Sequence, residues 1–129
     1  MEDGMKSYVA GMYLCVIMLL VGCSFIPAKF NGTEYTNIVK IATMVNTPNC
    51  EVSQVVRLKD QSLFTKNYAQ HLPNNEDTFH SLQEIDASVD ALLLRVRTEP
   101  VGATYCKMKH INIELMTHTL FDAVGRKPR

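Results

Sequence analysis

From Phe79 to Val96 the chain reads FHSLQEIDASVDALLLRV. Phe79, Leu82, Ile85, Val89, Leu92, Leu93 and Val96 recur at steps of three and four, so on an α-helix they fall along one side. Glu84, Asp86 and Asp90 occupy the other faces, Glu76 and Asp77 precede the stripe, and Arg95 and Arg97 close it. That order of charge suits the helix dipole at both ends. The pattern predicts an amphipathic helix of about five turns with its carboxylates in water.

Working outward, Thr98-Glu99-Pro100-Val101-Gly102 breaks this helix, and Thr104 to Val124 resumes the period with Ile113, Met116, Leu120 and Val124. Leu115 and Phe121 widen that stripe, Gly125 stands where a terminating glycine belongs, and Arg126-Lys127-Pro128-Arg129 reads as a disordered basic tail. On the N-terminal side, Leu58 to Leu72 places Leu63, Phe64, Tyr68 and Leu72 together, away from Lys59, Asp60, Lys66 and Gln70, and Pro73-Asn74-Asn75 stops it. Earlier still, Tyr35, Ile38, Val39, Ala42 and Val45 define a helix with Thr33 as its N-cap and Glu34 near the positive end of its dipole. Between the first two helices, Cys50 to Val56 is short and β-branched, and reads as a brief strand or extended crossover. The expectation is an all-α four-helix bundle in one domain.

The chain has 129 residues, 13 basic and 13 acidic. A balanced charge offers no basic field to steer it to nucleic acid. Residues Tyr8 to Gly22 form an uncharged apolar run behind Lys6, ending in the small residues Gly22, Cys23 and Ser24. A membrane-spanning helix needs about 20 apolar residues, whereas a signal-peptide core needs roughly 7 to 15. Residues 1–24 are therefore read as a cleaved signal peptide and 25–129 as the mature domain, secreted to the extracellular space and off the membrane. The same stretch, Leu20-Val21-Gly22-Cys23, also fits a bacterial lipobox that would anchor an envelope lipoprotein through Cys23. Asn31-Gly32-Thr33 is an N-glycosylation sequon and favours the secreted reading.

Removal of the signal takes Cys15 and Cys23 with it and leaves Cys50 and Cys106. In an oxidising compartment these are most simply an intramolecular disulfide, closing a loop of about 57 residues worth roughly 4 kcal/mol; two free thiols, or a bridge between chains that gives a dimer, are the alternatives. His110, Glu114 and His118 are spaced four apart and could ligate zinc. Without a complete ligand set, however, they read as a solvated polar stripe, and neither metal nor cofactor is expected. No glycine-rich phosphate loop, nucleophile elbow or Cys-Xaa-Xaa-Cys occurs in the sequence, so no enzymatic activity is expected.

Cys50-Glu51-Val52 after the first helix, Leu63-Phe64, the Glu76-Asp77-Thr78-Phe79 opening, Cys106 and the closing Ile113-Glu114-Leu115 together resemble the short-chain four-helix cytokines of the interleukin-4/interleukin-13 branch. The likeness covers most of the mature chain. It implies helices running up-up-down-down, crossover strands at Cys50 to Val56 and Glu99 to Tyr105 tied by the Cys50–Cys106 bond, and cell-surface receptor chains as partners. Lys40, Glu84, Asp90, Lys107 and Arg126 are the candidate receptor contacts. Chain length leaves the topology open, because Thr98 to Ala103 stretches only about 20 Å, while a crossover between parallel five-turn helices needs about 27 Å. Either the helices fray there or the bundle runs up-down-up-down.

Overall fold

The computed structural model describes residues 27–129. The expected signal peptide, with Cys15 and Cys23, lies outside the described residues. Four helices follow one another: α1 (Gly32–Val45), α2 (Val52–Gln70), α3 (Glu76–Thr98) and α4 (Ala103–Gly125). No strand occurs among the described residues, and no helix among them is long and apolar enough to cross a membrane.

The loops dictate how the helices run. Gln70 to Glu76 and Thr98 to Ala103 can stretch only about 20 Å, whereas α3, with 23 residues, is about 34 Å long. Both of its neighbours must therefore run antiparallel to it. Tyr68, near the end of α2, bonds through its hydroxyl to Asn31 at the start of α1 (3.3 Å), so these two helices are antiparallel as well. Each helix packs on its neighbours in sequence, and α4 closes the square against α1. The bundle is thus all-α with up-down-up-down connectivity. The two crossover strands implied by the interleukin likeness are absent: Val52 to Val56 forms the first turns of α2, and only residues 99–102 link α3 to α4. Val55 shows why helix wins, since its burial in the core follows the same spacing as Leu58.

The core is built from Ile38, Ile41 and Val45 of α1, Val55, Leu58 and Ala69 of α2, Leu82, Ile85, Val89, Leu92 and Leu93 of α3, and Ile113, Leu120 and Val124 of α4. The α3 stripe read from the sequence is buried over most of its length. The α2 stripe is turned instead: Val55, Leu58, Ser62, Thr65 and Ala69 face inward, and Leu63 and Phe64 are exposed. Small side chains on that face let α2 and α3 approach closely. In α1 the cap is Asn31 rather than Thr33, its Oδ1 accepting from the Glu34 N–H at 2.9 Å.

A polar staple closes the end where the start of α1 meets the C-terminal tail. Glu34 is fully buried. It accepts from Asn75 Nδ2 at 3.1 Å and lies 3.6 Å from Lys127 Nζ. Lys127 also donates to Asn75 Oδ1 (2.5 Å) and Thr78 Oγ1 (2.8 Å). The tail expected to be disordered is therefore tied down; the Phe30 N–H donates to Pro128 O at 2.8 Å, and the Arg129 guanidinium lies over the Phe30 ring. A lysine that neutralises a buried carboxylate cannot be released without cost, which explains the ordering.

Candidate functional site

The five candidate receptor contacts do not converge. Lys40 is exposed on α1, Glu84 and Asp90 on α3, Lys107 on α4, and Arg126 just beyond it. Six residues separate Glu84 from Asp90, which turns them about 120° apart around the helix. Asp90 faces α2, where Lys59 Nζ reaches it at 2.7 Å. Glu84 faces α4 and lines a groove of about 340 Å³ with Ser81, Leu115, Met116, Thr119 and Leu120.

The α4 side of this groove has a feature that periodicity concealed. Leu115, expected to widen the core stripe, is 63% exposed, and Met108, seven residues earlier on the same side of the helix, is 53% exposed. Their face is nearly opposite the buried line of Cys106, Ile113, Thr117, Leu120 and Val124. Helix α4 therefore carries two apolar side chains, Met108 and Leu115, on its outer face as well as its buried line. Nearer the start of α4, away from the groove, Tyr105 is flanked by cations, the Arg95 guanidinium from α3 at 5.4 Å and Lys109 Nζ at 5.5 Å from its ring centroid. The Arg95 contact joins α3 to α4, and the Lys109 contact lies within α4.

Asp86, expected on a solvated face, is buried with 4% exposure. Lys59 Nζ (2.8 Å), Lys66 Nζ (2.6 Å) and Ser62 Oγ (2.7 Å) all bond to its carboxylate from α2. Burial alone would push this carboxyl up, but the hydrogen bonds from Lys59, Lys66 and Ser62 outweigh it and hold Asp86 below the ordinary aspartate value of 3.8. Lys59 shows the mirror effect. Burial would lower its ammonium, and the bonds to Asp86 and Asp90 raise it above 10.5 instead. The cluster aligns α2 with α3, and all its charges are spoken for.

The expected stripe His110, Glu114, His118 divides. Four residues on a helix advance about 40° beyond a full turn, so the line drifts out of the core. His110 is buried, 2% exposed, while His118 lies outside with Nε2 at 3.8 Å from Glu114 Oε1. The two cysteines join within the chain, Cys50 to Cys106, with Cα atoms 5.9 Å apart, and His110 packs against that bond. Asn31 is half-buried at the start of α1; its cap uses Oδ1, leaving the amide nitrogen, the atom a glycan would take, outside the capping bond.

Among the sequence candidates, then, the fold brings Glu84 to a groove and leaves Lys40, Lys107 and Arg126 scattered. Sequence reasoning missed Leu115 and Met108 as surface residues, although their spacing of seven was there to be read as a second stripe. No family model, no curated protein and no solved structure matches this chain.

Proposed function

We propose that the chain is an exported, non-enzymatic ligand that binds a cell-surface receptor chain through the face formed by α3 and α4. The observation that carries this reading is the outward apolar stripe of α4, Met108 and Leu115. An amphipathic helix buries one side in its own bundle; a second apolar side held in water costs solubility and is characteristic of a surface that meets a partner. The groove beside it has Met116 and Leu120 in its lining and Glu84 at its α3 wall. Apolar anchors would supply affinity there, and the carboxylate would orient a receptor surface carrying a complementary cation.

From the interleukin likeness this proposal keeps a disulfide-tied bundle and receptor engagement by a helix face. It does not keep the connectivity. Export rests on the apolar run ahead of Ser24, and it implies a mature chain starting near Phe25 and glycosylated at Asn31, which intact-mass measurement of secreted material checks. A mature chain starting at a diacylated Cys23 would show the lipoprotein reading instead.

The direct test is titration of the purified mature protein onto receptor-bearing cells. Saturable binding with a signalling response is expected. Absence of both across candidate receptors ends the proposal.

A further inference from the structure

The disulfide end of the bundle carries a cluster that receptor binding does not use. Cys106 and His110 are one turn apart on α4, so their side chains share a face, and Cys50 arrives from the loop before α2. His110 Nδ1 lies 3.8 Å from Cys106 Sγ and 3.9 Å from Cys50 Sγ. A tetrahedral zinc site, with Zn–S of about 2.3 Å and Zn–N of about 2.0 Å, holds sulfur and nitrogen ligands about 3.5 Å apart and its two sulfurs about 3.8 Å apart. Both sulfur–nitrogen spacings already stand within a few tenths of an ångström of that geometry. The one large departure is the sulfur–sulfur bond itself.

We propose that, once this bond is reduced, Cys50, Cys106 and His110 bind one zinc ion, so that the same three residues form a covalent staple when oxidised and a metal site when reduced. A fourth position falls to water, which can enter from a recess of about 340 Å³ lined by His110, Asn49, Gln54 and Arg57 among others. Reduction by a cellular dithiol breaks the Cys50–Cys106 bond, gives two thiols and leaves the dithiol as its own disulfide. Zinc then displaces both thiol protons, which pass to water through the recess.

The imidazole must also exchange its partners. At present Nε2 accepts from the Asn49 N–H at 3.4 Å, and Nδ1 lies 3.0 Å from Cys106 O, so the ring proton sits on Nδ1. Coordination through Nδ1 requires that proton to move to Nε2, which then releases the Asn49 N–H and donates to water in the recess. Two thiolates and a neutral imidazole leave a Zn²⁺ complex with no net charge, which suits a site where Cys106 and His110 are buried and Cys50 is half-buried.

The test uses the mature chain, oxidised or reduced with a phosphine under anaerobic conditions, then equilibrated with Zn²⁺ and desalted. The phosphine becomes its oxide, with water supplying the oxygen and the two protons. One zinc per reduced chain and none per oxidised chain is expected, with X-ray absorption showing two sulfurs and at least one nitrogen or oxygen in the shell. His110→Ala should weaken zinc binding at least 10-fold. Zinc retained equally by the oxidised chain, no stoichiometric zinc on the reduced one, or an affinity unchanged in folded His110→Ala overturns the proposal. Should His110→Ala fail to fold, the wild-type absorption spectrum decides, and a sulfur-only shell rejects the site. Should reduction unfold the wild type, zinc must restore its helicity, and failure to do so also rejects it.

Discussion

Asp86 is held by three donors from a neighbouring helix, and its removal strands Lys66 beside a packed interface and leaves Lys59 with Asp90 as its remaining partner. Breaking a buried pair typically costs about 3–5 kcal/mol; with both lysines partly exposed to water, Asp86→Ala should cost about 2–3 kcal/mol, measured from urea unfolding midpoints near pH 7. The pH dependence has a definite sign. Because the folded-state carboxyl lies below its ordinary 3.8, its contribution is complete above that value and is lost as pH falls through the depressed folded one. The Lys59 contribution is complete below 10.5 and is lost as pH rises through its raised folded value. Stability of wild type and Asp86→Ala should therefore converge in strong acid; a gap that persists there would show that the carboxylate charge is not the cause. Lys127→Ala makes a parallel case, because it leaves the Glu34 carboxylate buried with Asn75 as its remaining donor. A loss of about 2–4 kcal/mol is expected, and the double variant with Glu34→Gln should recover part of it. Neither pair was legible in the sequence. Charge on a helix reads as solvated until the facing helix is known, and Lys59, Lys66 and Asp86 meet only because α2 and α3 are antiparallel.

At the scale of the helix, periodicity placed the α3 face correctly and misplaced that of α2. A stripe containing Ser62, Thr65 and Ala69 carries little hydrophobic signal, so Leu63, Phe64 and Tyr68 drew the reading toward the wrong side. The outcome is measurable. Phe64→Ser should shift stability by no more than about 0.5 kcal/mol, whereas Leu58→Ala, which empties a core position, should cost about 2–4 kcal/mol. A large loss from Phe64→Ser would return α2 to the orientation expected from its sequence. Boundaries were missed for a related reason. Val52 to Val56 is β-branched, and propensity alone could not show that Val55 had a core to enter. Gly125 ends α4 within the helix, and a Cβ there would meet Tyr35 Cε2 at 3.5 Å, an ordinary contact. Gly125→Ala should accordingly stabilise the chain by about 0.5 kcal/mol, visible as a raised thermal midpoint.

For the whole molecule, the short connections between long helices set the topology, and that arithmetic was available in the sequence once helix lengths were granted. The interleukin likeness pointed the other way, because its motifs are local and carry no information on direction. The disulfide joins the α1–α2 loop to the start of α4 and so ties two connections at one end of the bundle. Replacing both Cys50 and Cys106 by serine should lower stability by about 4 kcal/mol on the chain-entropy estimate, and the unfolding midpoint of the oxidised chain should be insensitive to protein concentration, as an intramolecular bridge requires. The surface was only partly legible in the sequence. Leu115 reads as a core residue until the core is complete without it, although its spacing of seven from Met108 marked a second stripe, and Glu84 gains significance only from the groove it lines.

The most direct measurement is saturation binding of the mature protein to receptor-bearing cells, comparing wild type with Leu115→Asp after circular dichroism has shown both to be equally helical. Leu115 lies outside the core, so the substitution should leave the fold intact and weaken binding at least 10-fold, equivalent to about 1.4 kcal/mol. Saturable wild-type binding that Leu115→Asp leaves unchanged would contradict the assignment of the α3–α4 face as the site of recognition.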